Sequence, residues 1–193
     1  MTIHCVTVNP AIDITYQVPD FSRHATNRIS DVQRLPGGKG VNVARILASA
    51  VHDVTAHGFL GGTAGTELFN MLTELPPNIT QRWVHIPTMT RTTIAIVDKH
   101  DATMLNEPGE SQTETAWLSL IDNFTDTCQA GEWVVISGSF PPATDKAWLK
   151  RIIELLHQLG CFVAVDTSGE LLIEAASCQA DLLKPNREEL LTA

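Results

Sequence analysis

The stretch PGGKGVNVARILASAVHDVTAHGFLGG, residues 36–62, decides how the chain is read. Pro36-Gly37-Gly38-Lys39-Gly40 is a turn by its glycine density. Over residues 41–51, Val43, Ile46, Leu47, Ala50 and Val51 share one helical face, while Asn42, Arg45 and Ser49 fall on another. A strand-forming run follows at 54–60, and Gly61-Gly62 turns the chain into a further helix over about 66–75, which Pro76-Pro77 stops. Turn, helix, strand, turn, helix is the repeating unit of a parallel sheet covered by helices, with right-handed crossovers.

The same alternation extends in both directions. Residues 3–8 read as a strand that ends at Asn9-Pro10, where proline removes a backbone donor. Strand-like segments lie at about 12–18, 29–35 and 79–86, and 91–97 with 103–106 reads as a hairpin around Asp98-Lys99-His100-Asp101. Ser111 and Glu114 have the spacing of a capping box ahead of a helix striped by Trp117, Leu118, Ile121 and Phe124. Strands at 132–137, 162–166 and 181–184 then alternate with helices at 145–159 and 169–177, and Asn186 opens a last helix. The pattern predicts one α/β domain over residues 1–193, with helices on both faces of a mostly parallel sheet. The strand near 181–184 is expected to leave an open edge through which the chain associates.

Composition removes several classes of function. With 13 Lys and Arg against 22 Asp and Glu, the formal charge of −9 provides no general field for nucleic acid. An anionic ligand therefore requires locally placed cations. The four cysteines, at 5, 128, 161 and 178, form no CxxC pair, and no histidine spacing matches HExxH. Reduced, mostly buried thiols are the expectation. Met1-Thr2-Ile3-His4-Cys5 has neither a basic leader nor an apolar core, and no apolar run approaches a membrane span, so a soluble cytoplasmic protein with no membrane partner is expected.

In open α/β sheets ligands bind beyond the carboxyl ends of the strands. Asp13 stands in such a place, although a solvated turn aspartate reads equally well in isolation. Gly37 to Asn42 combines close backbone approach, a cation and a helix N-terminus whose free N–H groups favour polar or anionic ligands. Its spacing is neither that of a Walker A loop nor that of a dinucleotide fingerprint. Gly58, Gly61, Gly62 and Gly65 read as tight-turn geometry.

Taken together, several motifs resemble the ribokinase/PfkB carbohydrate kinases and, within them, the phosphosugar branch of 1-phosphofructokinase and tagatose-6-phosphate kinase type. They are TVNPAID at 7–13, PGGKGVNVA at 36–44, GFLGG at 58–62, Thr90-Arg91-Thr92, Asn106-Glu107-Pro108-Gly109, SGSFP at 137–141, DTSGE at 166–170 and KPNREE at 184–189. The resemblance implies a ribokinase-like fold and transfer of a phosphoryl group from ATP, with Mg²⁺, to a sugar phosphate, as in the conversion of fructose 1-phosphate to fructose 1,6-bisphosphate. It implies that Asp13, Gly38 and Asn42 hold sugar hydroxyls. Arg28, Lys39 and Arg91 supply cations for the substrate's phosphate, and Ser139 lies near the reacting groups. Lys184 and Asn186 organise nucleotide phosphates, and Glu189 meets Mg²⁺ through water. From spacing alone, Asn186 and Glu189 read first as a capping pair.

The segments at about 12–18, 29–35, 91–97 and 103–108 resemble the family's β-lid, which implies closure over the sugar and a homodimer through the lid. The family's Gly-Ala-Gly-Asp signature, which carries the catalytic base, is not found in the 193 residues. The expectation is accordingly an N-terminal portion, with the C-terminal part of the fold absent and the chain inactive alone. Tagatose 6-phosphate or fructose 6-phosphate as substrate, a noncatalytic sugar-phosphate-binding module and a nucleotide-binding regulatory domain stand as alternatives.

Overall fold

The computed structural model describes residues 1–29, 31–74 and 77–192. Six parallel strands form the main sheet: β1 (Ile3–Thr7), β4 (Val54–Gly61), β5 (Ile79–Ile86), β8 (Trp133–Ser137), β9 (Phe162–Asp166) and β10 (Leu182–Leu183). Their order is β10-β9-β8-β1-β4-β5, so β1 lies centrally between β8 and β4. Among the described residues six helices accompany them: α1 (Lys39–Ser49), α2 (Gly62–Thr73), α3 (Glu114–Thr127), α4 (Ala147–Gln158), α5 (Glu170–Ser177) and α6 (Arg187–Thr192). A second sheet holds β2 (Ala11–Gln17), β3 (Asp31–Gly37), β6 (Arg91–Val97) and β7 (Ala102–Asn106), in the order β3-β2-β6-β7. Pairing there is mixed, parallel between β2 and β6 and antiparallel at β2–β3 and β6–β7.

The expectation of a mostly parallel sheet with a small β-lid from which the C-terminal part of the fold is absent is thereby corrected. The architecture is a pair of parallel and mixed sheets with flanking helices, running from β1 to α6 over the chain. Of the positions read from sequence, Ser30 in the segment at 29–35, Leu75 and Pro76 at the end of α2, and Ala193 lie outside the described residues.

Burial explains why these segments take these forms. On one face of the main sheet, Val6, Val134, Ile136, Val163 and Val165 meet Trp117, Phe124, Leu149, Ile152 and Leu156 of α3 and α4 in a continuous apolar core. On the other face α1 lies against β1 through Ala44 and Ala48, which pack on Cys5 and Val54. This differs from the face expected for α1, since Ile46 and Val51 are 70% and 88% exposed. Close approach selects small residues: a Cβ on Gly40 would stand 2.5 Å from the Val6 carbonyl oxygen. The broader apolar side chains Val43 and Leu47 instead border a groove of about 360 Å³ with Ile3, Trp133, Val135, Ala164 and Leu182.

A further cluster, in which Leu68 and Leu72 of α2 meet Ile12 and Ile14 of β2 with Ala56 and Leu60 of β4, joins the small sheet to the large one. Helix α3 begins differently from its sequence reading. Thr113, not Ser111, is the N-cap, its hydroxyl accepting from the Ala116 N–H at 3.2 Å while Glu114 occupies the first turn. Among the described residues no helix is long and apolar enough to cross a membrane. The cysteines are free thiols, three of them buried, and burial pushes Cys5 and Cys128 up to about 12.

Candidate functional site

The carboxyl ends of β1, β8 and β9 open on one cavity of about 300 Å³, which the small sheet borders through Arg91 and Asn106. Gly38 stands at its rim with φ 109°, a conformation L side chains rarely adopt, and a Cβ there would come within 2.7 Å of the Thr7 methyl. The turn thus brings bare backbone to the cavity, and α1 starts from it with no side-chain cap. Its first N–H groups are the free donors of a helix N-terminus.

Lys39, the first residue of α1, donates to Asp166 Oδ1 and to Glu189 Oε1, both at 3.2 Å. Lys184 Nζ approaches the other oxygen of Asp166 at 3.5 Å. Burial draws the Lys39 ammonium down, but the hydrogen bonds to Glu189 and Asp166 outweigh it and hold the group above its ordinary value. Glu189 is also part of a reciprocal cap: the Asn186 N–H donates to its Oε2, and its own N–H donates to Asn186 Oδ1, each at 2.8 Å. That backbone bond first, and Lys39 second, hold the Glu189 carboxyl below its ordinary value. The capping arrangement read from spacing is therefore present, and the same carboxylate faces the cavity.

Arg91 is held differently. Its Nε donates to the Asn9 carbonyl at 3.2 Å and its Nη1 to the Glu107 carbonyl at 2.9 Å. Desolvation lowers its pKa, while Asp13 and Glu107 act in the opposite sense. Both acceptors are neutral, so the guanidinium charge is not cancelled by a carboxylate in contact with it. Asn9, 7% exposed, also ties the neighbouring loops together, its Nδ2 donating to Pro108 O at 3.1 Å, Ser139 Oγ at 3.3 Å and Phe140 O at 3.4 Å.

Of the residues singled out from sequence, Gly38, Lys39, Arg91, Ser139 and Glu189 line this cavity. Asp13 lies just outside its lining, on β2, where it accepts a hydrogen bond from Thr93. Asn42 is exposed one turn into α1, its Oδ1 accepting from Arg45 at 3.4 Å. Lys184 borders the apolar groove, Asn186 caps α6, and Arg28 sits on an exposed segment and is not among the residues that line the cavity. Sequence reading did not assign Thr7, Asn9, Asn106, Gly138, Thr167 or Ser168, all of which line the cavity. Four of them lie within the quoted motifs 7–13, 106–109 and 137–141, and Thr167 and Ser168 within 166–170, so the motifs themselves carried the signal.

Among the described residues no group of three or more His, Cys, Asp or Glu is gathered around a metal position. Mg²⁺ commonly takes one or two protein carboxylates and completes its shell with water and phosphate oxygens, a requirement that Glu189 at the cavity wall fits.

The model of the family described as pfkB family carbohydrate kinase matches residues 4–193. Phosphofructokinase-2 from Escherichia coli, in complex with substrates and products, superposes with a TM-score of 0.92 at 28% identity, covering 100% of this chain and 62% of that one. The same enzyme in complex with fructose-6-phosphate gives 0.91 at 28% identity, over 97% of this chain and 62% of that one. A protein from Thermotoga maritima described as "Possible 1-phosphofructokinase" gives 0.86 at 30% identity, over 97% of this chain and 61% of its own. The chain thus spans less than two thirds of the length of these solved relatives. The expectation of an N-terminal portion is corrected by the same matches. The family model runs from residue 4 to residue 193, and the Escherichia coli enzyme with substrates and products superposes over 100% of this chain, so the family's domain is recognised along it without the Gly-Ala-Gly-Asp signature. The chain belongs to the pfkB family of carbohydrate kinases.

Proposed function

We propose that this chain serves the phosphorylation of a sugar phosphate, with fructose 1-phosphate as acceptor and fructose 1,6-bisphosphate as product. In that reaction a primary hydroxyl oxygen of the sugar forms a bond to the γ-phosphorus of ATP, the bond to the leaving ADP oxygen breaks, and the hydroxyl proton is released. Catalysis of this kind depends on positioning and charge stabilisation. The observation that carries the reading is Arg91, a half-buried guanidinium bound to neutral carbonyls at the wall of a polar cavity. Such a group is ready for the phosphate of a substrate that also offers hydroxyls.

Asp13, Gly38 and Asn42 would hold those hydroxyls, with Lys39 and Arg28 adding positive charge for the phosphate and Ser139 adjoining the reacting oxygen. Lys184 and Asn186 would meet nucleotide phosphates, with Glu189 holding Mg²⁺ through water. Mg²⁺ supplies charge neutralisation on the phosphate oxygens when bound. The small sheet would act as a lid that excludes water, with a homodimer formed through it and the protein working in the cytoplasm. Fructose 6-phosphate and tagatose 6-phosphate are the competing acceptors, the first because the Escherichia coli relative is described in complex with fructose-6-phosphate.

A noncatalytic sugar-phosphate-binding module is favoured by a different observation: the carboxylates around the cavity are already engaged. Asp166 and Glu189 hold Lys39. Calorimetric titration of the chain with the three phosphosugars, beside a coupled assay for ADP release, decides between the readings. Saturable binding of fructose 1-phosphate, lost in Arg91→Ala and accompanied by turnover, supports the kinase. Binding without turnover supports the module. A folded chain that binds none of the three sinks both.

A further inference from the structure

Thr93 stands on β6 in register with Asp13 on β2, and Arg91 lies two residues earlier on the same strand, hence on the same face. Thr93 is 8% exposed, and its hydroxyl donates to Asp13 Oδ1. Gly37 of β3 lies on the other flank of the carboxylate. A Cβ there would be 2.1–2.2 Å from Cγ and from both oxygens of Asp13, so the carboxylate lies flat over bare backbone. It is held from two sides by groups of adjacent strands.

Ala11 pairs with Arg91 and Asp13 with Thr93, so Asp13 and Arg91 stand two register positions apart on one face of adjacent strands, yet no ion pair joins the two among the described residues. The guanidinium turns to the carbonyls of Asn9 and Glu107 instead. Opposite charges in a half-buried site attract strongly, and closing the gap would cancel both. A restraint must keep them apart, and the hydroxyl on Asp13 Oδ1 is the bond in place to do so. We propose that Thr93 is a positioning residue that keeps Asp13 off Arg91, leaving a carboxylate for a sugar hydroxyl and a guanidinium for a sugar's phosphate at the same site. The inference rests on the functional reading above and names the feature that makes the site select a phosphosugar: two opposite charges held apart at fixed separation.

Thr93→Val keeps the side chain's shape and removes the hydroxyl. Its affinity for fructose 1-phosphate, measured by calorimetry, is expected to fall roughly tenfold, while Thr93→Ser retains it. In an Asp13→Asn background the Thr93→Val change is expected to cost nothing more, because no carboxylate remains to close on Arg91. A further tenfold loss in that background would mean that Thr93 supports the fold and not the separation of charge, and overturns the proposal. Solvent exchange of the Arg91 Nε proton, followed by ¹⁵N NMR without sugar, gives a second readout: it is expected to slow in Thr93→Val as an ion pair forms, and an unchanged rate overturns the proposal. Failure of the wild-type chain to bind fructose 1-phosphate would overturn the functional reading, and the exchange measurement would still decide the role of Thr93.

Discussion

His57 is a histidine with no exposed surface, and its environment fixes its proton state. Its Nε2 lies 3.0 Å from His4 Nδ1, and His4 Nε2 lies 3.0 Å from Glu132 Oε2. The Glu132 carboxylate accepts the His4 Nε2–H, the donor between the two rings follows their tautomers, and His57 Nδ1 is left without a partner among the described residues. Desolvation first, with the charges of His4 and Arg82 behind it, lowers the His57 pKa to about 3. Unfolding returns the ring to its ordinary value of 6.5, so below that pH the unfolded chain binds a proton that the folded chain refuses. Stability is complete above 6.5 and falls with pH from there towards 3, by about 1.4 kcal/mol per pH unit from this residue. Glu132, held below its ordinary value despite desolvation by bonds from His4, Gln129 and Thr2, acts in the same sense at lower pH. Thermal melts between pH 7.5 and 5 should therefore show a falling midpoint, and His57→Gln should flatten the slope while lowering the melt at pH 7.5. A wild-type midpoint that does not move over that range would show that the ring is not held neutral.

At the scale of elements, the tightest constraint is where β1 meets β4. Gly58 pairs with Thr7 in mid-strand at φ +146°, and a Cβ there would stand 1.9 Å from the Thr7 carbonyl oxygen and 2.9 Å from the Trp83 ring. The obstacle is backbone, which cannot turn aside as a side chain can. Gly58→Ala is expected to destabilise the chain by about 3 kcal/mol or more, read from the urea midpoint, and a loss under about 1 kcal/mol would contradict the constraint. From sequence this glycine read as turn geometry, because density of glycine reports permissive backbone without saying which partner comes close. The elements themselves were legible for the opposite reason: period-2 and period-3.6 patterns are local, and β1, β5, β6 and β9 fall within a residue of their expected limits. The parallel pairing of β2 with β6 was not legible, since Ala11 and Arg91 are brought together only by the path of the chain between them. The site divides along the same line. Glycine turn, Lys39 and Arg91 are local signals, whereas Asn9 bridging Pro108 and Phe140, Thr93 beneath Asp13, and the removal of Arg28 to an exposed segment are products of tertiary geometry.

For the whole molecule, charge and apolar surface act against each other. Among the described residues nine large apolar helix and strand positions are more than 40% exposed, but most are scattered, which is ordinary for a folded surface. The groove between α1 and the strands β8, β9 and β10 is different, because Ile3, Val43, Leu47, Trp133, Val135, Ala164 and Leu182 are contiguous there. The strand expected to offer an open edge, β10, is only two residues long, and an edge that short offers little backbone for pairing. Association beyond the lid dimer should therefore run through the apolar groove rather than through strand addition. A formal charge of −9 on every copy opposes that approach at low ionic strength, and salt shortens the reach of the repulsion to about 8 Å at 0.15 M. Sedimentation velocity should show the mean mass rising with protein concentration, and rising further as NaCl is increased from about 20 mM to 500 mM. Leu182→Lys, which puts a charge at the groove, should hold the mean mass at that of the lid dimer at concentrations where the unaltered chain associates further. An association that weakens with salt would instead identify a contact between opposite charges, and one that persists in Leu182→Lys would move the interface away from the groove.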